Sequence, residues 1–149
     1  MKAKILAGLA GAGLAVVGWT GLEASLRPPQ SWPRVYVRSG CGPSEQAITD
    51  ARDTPPEVDL ALLPLDVVAA DLACAITLTR LARERPWLAL VPEGWQCKVL
   101  RRHARADYAA LGLADEPAPI YQVEGRIGVG WSEGRRSGLI RGELESLLD

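Results

Sequence analysis

The sequence predicts an α/β domain preceded by an apolar N-terminal helix, from three observations. A β-α-β order opens the chain beyond residue 33, two longer helical stretches follow, and a proline-led hairpin with a closing helix ends it. The chain has 149 residues, of which about 125 remain beyond the apolar start, enough for one core. Its divisions are an anchor or signal segment at 1–24, a Pro-rich spacer at 25–33 and a domain at 34–149, with a helical insertion at about 68–113.

Lys2 and Lys4 precede residues 5–22, eighteen positions without a charge. As a helix rising ~1.5 Å per residue they span ~27 Å, close to a thin bilayer core. A basic start, an apolar middle and a polar exit at Glu23 and Arg27 also describe a secretory signal. Neither Leu22 with Ala24 nor Val16 with Gly18 makes a small-x-small cleavage site, which favours a retained single-pass anchor over a cut signal. Both alternatives export the domain, to the periplasmic or extracytoplasmic side. Gly8 with Ala12, and Gly11 with Ala15, are small-xxx-small pairs through which two anchors would form a weak homodimer. Pro28, Pro29 and Pro33 then favour extended backbone, a stiff spacer between membrane and domain.

Residues 34–39 alternate, with Val35 and Val37 opposite Tyr36, and stop at Gly40, which predicts a strand. Helix formers from Ser44 to Arg52 place Ala47, Ile48 and Ala51 on one face. Pro55 and Pro56 end that helix, and the dense apolar run 58–68, interrupted by Pro64, reads as a buried parallel strand. A helix over 68–85 follows, with Leu72, Ala75, Ile76 and Ala82 on one stripe and Cys74, Leu78 and Leu81 on the next; Pro86 stops it. A second, over 96–111, spaces Val99, Leu100, Ala104, Tyr108 and Leu111 for burial, with Gly112 where a left-handed residue suits a helix end. Strands at 120–123 and 126–131 flank Glu124-Gly125, a hairpin signal, and 139–148 reads as an amphipathic helix.

The residues that carry chemistry are few. Cys41-Gly42-Pro43-Ser44 falls between the first strand and its helix. A sulfur at a helix start meets unpaired N–H groups and the positive end of the macrodipole, which favours the thiolate that attacks disulfides. The bland alternative is a small, partly buried cysteine of no redox consequence. Cys74 and Cys97 stand at similar points of the two inserted helices, with 22 residues between them, and an exported chain permits them to oxidise. A bridge there would contribute ~3 kcal/mol in the entropic model and leave Cys41 free. Cys74 as a buried free thiol, or a pairing of Cys41 with Cys74 or Cys97, are the other arrangements.

Three cysteines and one histidine show no metal-ligand spacing, so neither metal nor cofactor is expected. His103 lies among Arg101, Arg102 and Arg105 on what reads as a solvated helix face. Seventeen basic and eighteen acidic side chains leave a net charge of -1, which offers no field for nucleic acid. Trp87 and Trp95, on either side of Pro92-Glu93-Gly94, read as core or cap residues, or, if exposed, as the lining of a groove.

The order strand, Cys-Gly-Pro-Ser, helix, strand, helices, Ala-Pro, hairpin, helix resembles the thioredoxin superfamily. The helices placed before the proline make it most similar to the periplasmic disulfide oxidoreductases. The likeness covers most of 35–148 and is carried by residues 40–44, by Leu111-Gly112-Leu113 leading into Ala118-Pro119, and by residues 120–126. It implies a thioredoxin-like fold with Cys41 as nucleophile, Ser44 at the resolving position, and Gly42, Pro43, Ala118 and Pro119 against the substrate. Pro119 matches the family's cis-proline, which faces the active cysteine and frees the preceding backbone, here Ala118, to pair with an extended substrate. Two positions depart from the pattern: Gly40 replaces the usual aromatic residue, and Ser44 replaces the second cysteine. Ser44 can at most donate a hydrogen bond to the Cys41 sulfur, so an outside thiol must complete any exchange. The expected partners are therefore protein thiols or disulfides, or a small thiol such as glutathione. The alternative is a redox-inactive binding or assembly module of the cell envelope.

Overall fold

A computed structural model describes residues 18–149. Its centre is a four-stranded mixed sheet in the order β2-β1-β3-β4. The strands are β1 (Arg34–Val37), β2 (Ala61–Pro64), β3 (Ile120–Val123) and β4 (Arg126–Val129). The helices are α1 (Gly42–Asp53), α2 (Val67–Glu84), α3 (Glu93–Ala110) and α4 (Glu133–Arg141), with 3-10 turns at Pro86–Leu90 and Leu144–Leu148. β1 runs parallel to β2, with Val35 opposite Leu62, and antiparallel to β3, with Val35 opposite Tyr121. β3 and β4 form the hairpin, whose turn residues Glu124 and Gly125 both take positive φ, 49° and 80°.

Strand alternation sorts the core into two layers. Tyr36, Leu63 and Ile120 face a cluster with Leu78, Leu81, Leu88, Val99, Leu100 and Tyr108 of the inserted helices. Val35, Val37, Leu62, Tyr121 and Val123 face Ala47, Ile48, Ala51, Leu139 and Leu147 on the other side. α2 contributes to both layers, Cys74 and Leu78 to the first and Ala69 and Ala73 to the second, because it lies along β2 at the sheet edge. There the Thr77 hydroxyl donates to the Leu62 carbonyl (2.7 Å) and accepts from its N–H (2.9 Å). One side chain thus satisfies both outward backbone groups of an edge-strand residue.

Four expectations shift at their edges or faces. The expected strand at 58–68 is the four-residue β2, because Asp66 starts α2 by accepting from the Ala69 N–H (2.8 Å). On α2 the expected stripe of Cys74, Leu78 and Leu81 is buried, joined by Ala69, Ala70, Ala73 and Thr77, while Leu72 of the other expected stripe is 44% exposed; the small residues and the hydroxyl are those that face the strand edge. The expected terminal helix begins earlier, where Ser132 caps Arg135, and breaks at Gly142, whose φ of 72° turns the chain into a 3-10 segment. Last, the Pro-rich stretch 25–33, expected as a stiff spacer, packs into the domain. Leu26 and Trp32 are buried in the first core layer, and Arg27 and Arg34 converge on Asp107 of α3, Arg34 at 3.0 Å.

Residues 18–25 are helical. Most of the apolar segment expected at 5–22, with its small-xxx-small pairs, lies outside the described residues. Among the described residues no helix is long and apolar enough to cross a membrane.

Candidate functional site around Cys41

β1 ends beside the candidate site, and the chain reaches it through a strained corner that glycine relieves. Gly40 takes φ 68°, a left-handed conformation in which a Cβ would be strained, and this turns the backbone so that Cys41 becomes the N-cap of α1. Gly42 and Pro43 follow as exposed residues of the first helical turn, where proline's missing N–H costs nothing. Cys41 is partly exposed and unpaired. Its Sγ donates to the Ala118 carbonyl at 3.3 Å. The Ala118–Pro119 peptide bond is cis, and the Pro119 carbonyl accepts from the Gly130 N–H at 2.9 Å, tying that corner to the end of β4. Ala118 and Pro119 are both buried at the end of β3.

Of the residues singled out in the sequence, Cys41, Gly42, Pro43, Ala118 and Pro119 thus meet at one end of the sheet. Ser44 belongs to the same turn but does another task. Fully buried, its Oγ accepts from the Arg38 N–H at 3.2 Å, bracing the exit of β1, rather than serving the Cys41 sulfur. Cys74 and Cys97 are joined to each other, with Cα atoms 5.6 Å apart, and staple α2 to α3. Among the described cysteines this leaves Cys41 alone as a free thiol.

Asp66 is the residue of this neighbourhood that sequence reading missed. Its Oδ2 accepts from the Ser39 N–H at 2.7 Å while Oδ1 caps α2, so one carboxylate pins the loop before Cys41 to the next helix. Partial burial pushes this carboxyl upward, but the N–H groups of Ala69 and Ser39 and the Arg38 charge outweigh it and hold it below the usual carboxylate range. The signal was an Asp directly before an apolar helical run, hidden because the apolar stretch was read as one strand through to Val68.

His103 sits apart from this site. Its Nε2 is 2.8 Å from the Glu23 carbonyl and its Nδ1 is 3.1 Å from Arg27, so it serves the docking of residues 18–27 on α3 rather than facing solvent as expected. Arg102 also reaches Glu23, at 2.9 Å.

No protein-family model, curated protein or solved structure gives a significant match to this chain.

Proposed function

We propose that this is a thioredoxin-like monothiol protein that engages protein or small-molecule thiols and disulfides through Cys41, and that residues 5–22 hold it at the cytoplasmic membrane with the domain outside the cytoplasm. The observation that carries the redox part is the single free sulfur at the start of α1, 3.3 Å from the Ala118 carbonyl. The start of a helix presents the positive end of its dipole to a sulfur placed there, although the Cys41 Sγ accepts from no N–H of α1 and is turned toward Ala118 instead. The mixed α/β order and the cis bond before Pro119 agree with the family resemblance.

The exchange balances without an added oxidant. Cys41 loses its proton to solvent, and its thiolate attacks one sulfur of a disulfide; a new S–S bond to Cys41 forms as the other sulfur leaves as a thiolate. With Ser44 in place of a second thiol, the mixed disulfide waits for an external thiolate, which takes the bound sulfur into a new disulfide and returns Cys41 to its starting state. Glutathione or a protein cysteine suits that second role.

The competing function is a redox-inactive binding or assembly module of the cell envelope that keeps the fold without turnover. It is favoured by the bond from the Cys41 thiol to Ala118, which occupies both the proton and the carbonyl, and by the commitment of Ser44 to Arg38. Alkylation and covalent capture separate the two. For the monothiol function, Cys41 reacts with iodoacetamide faster than free glutathione at neutral pH, and disulfide-linked partners vanish in Cys41→Ala. Slow alkylation, with the same noncovalent partners bound by both forms, establishes the binding module instead.

A further inference from the structure

The helical residues 18–25 and α3 lie side by side and run in the same direction. Trp19 meets Trp95 edge to face with ring centroids 5.0 Å apart; farther along, Glu23 meets Arg102 and His103, and farther still Arg27 meets Asp107. The two helices therefore share one axis of rising polarity. At ~1.5 Å per residue, the aromatic level of Trp95 lies ~10 Å from that of Arg102 and ~18 Å from that of Asp107. The aromatic end also exposes large apolar side chains. Leu90 is 88% exposed, Trp19 52% and Trp87, on the same 3-10 turn as Leu90, 42%. Trp19, Leu22, Leu90, Val91, Pro92 and Trp95 line a cavity of about 420 Å³ open at this end.

The sequence continues from this end into residues 5–17, which carry no charge. Because residues 18–27 are clamped to α3 by the contacts above, no free linker separates the apolar segment from the domain. We infer that this end of the molecule is a membrane seat: Trp19, Trp87 and Trp95 lie among phospholipid headgroups, and Leu90 reaches the acyl boundary of the bilayer that the apolar segment before Trp19 enters. Indole rings partition to that level, with an apolar body and a polar N–H. Lys98 and Arg101 follow on α3 within ~10 Å of the Trp95 level, with long side chains suited to reach headgroup phosphates. The seat fixes the domain's orientation, with the first core layer's helices α2 and α3 joined at the membrane side. This inference rests on the proposal that residues 5–22 anchor the chain.

The test uses the full chain reconstituted in vesicles of equal parts phosphatidylcholine and phosphatidylglycerol. A fluorophore is attached at Leu90→Cys, and separately at Glu133→Cys on α4 across the sheet, both in a Cys41→Ser background. With brominated acyl chains, the label at 90 is expected to lose most of its emission and the label at 133 to keep it, while an alkaline carbonate wash leaves the chain in the vesicles. A retained chain with an unquenched label at 90 overturns the seat and leaves the anchor standing. A chain stripped by carbonate overturns both. A label at 90 shielded from water equally with and without lipid shows residues 1–17 covering the patch, and also overturns the seat.

Discussion

Asp66 shows how one side chain far along the sequence sets the geometry around Cys41. Its carboxylate holds the Ser39 N–H and the start of α2 together, and these bonds exist in full only when it is ionised. A carboxyl lowered in the folded state stabilises it above the unfolded value of about 3.9, and that contribution is lost as pH falls through the lower folded value. Urea midpoints should therefore be flat near neutrality and drop below about pH 4, and Asp66→Asn should blunt the drop while slowing Cys41 alkylation at neutral pH. A variant with wild-type pH dependence and wild-type alkylation would remove Asp66 from this role. The sequence made Cys41, Gly42, Pro43 and Pro119 legible because each has a chemical or conformational signature of its own. The true partners of Asp66 and Ser44 were not legible, since a carboxylate or hydroxyl declares nothing about which distant N–H it will meet.

Between elements, hydrogen bonds and the disulfide act where alternation patterns are silent. Thr77→Val keeps the shape of the side chain but leaves both outward groups of Leu62 unsatisfied, so chemical denaturation should show a loss of about 1–3 kcal/mol. A change within a few tenths would mean that water serves Leu62 as well. Replacing Cys74 and Cys97 together by alanine should cost about 3 kcal/mol in the same measurement, yet leave the alkylation rate of Cys41 unchanged. Periodicity located the four strands and the first three helices and placed Cys74, Leu78 and Leu81 of α2 in the core, but it misjudged Leu72 and began the terminal helix too late. Leu72 looked like core because it is large, whereas a helix lying along a strand edge needs Ala69, Ala73 and Thr77 there. Likewise, the helical pattern of the last ten residues could not reveal that Gly142 would take a left-handed turn.

For the whole molecule, the surprise is how tightly residues 18–33 belong to the domain. Arg34 is 6% exposed and shares Asp107 with Arg27, while Arg85 reaches the carbonyls of Ser25 and Arg27. Asp107→Ala would strand a buried guanidinium, with an expected loss of about 3 kcal/mol in denaturant unfolding and faster proteolysis within 25–33. Proline content made that stretch look like a stiff spacer, because the prolines restrict its backbone without revealing that Leu26 and Trp32 anchor it. These staples hold one face of the sheet, and α1 and α4 the other, so that a lone sulfur stands at the sheet's end, beside Ala118. The most direct test is the intact mass of the protein after exposure to oxidised glutathione without reductant. One glutathione per chain, located at Cys41, absent from Cys41→Ser and removed by added free thiol, is the predicted result. An unmodified Cys41, or an adduct that persists in Cys41→Ser, would contradict the account.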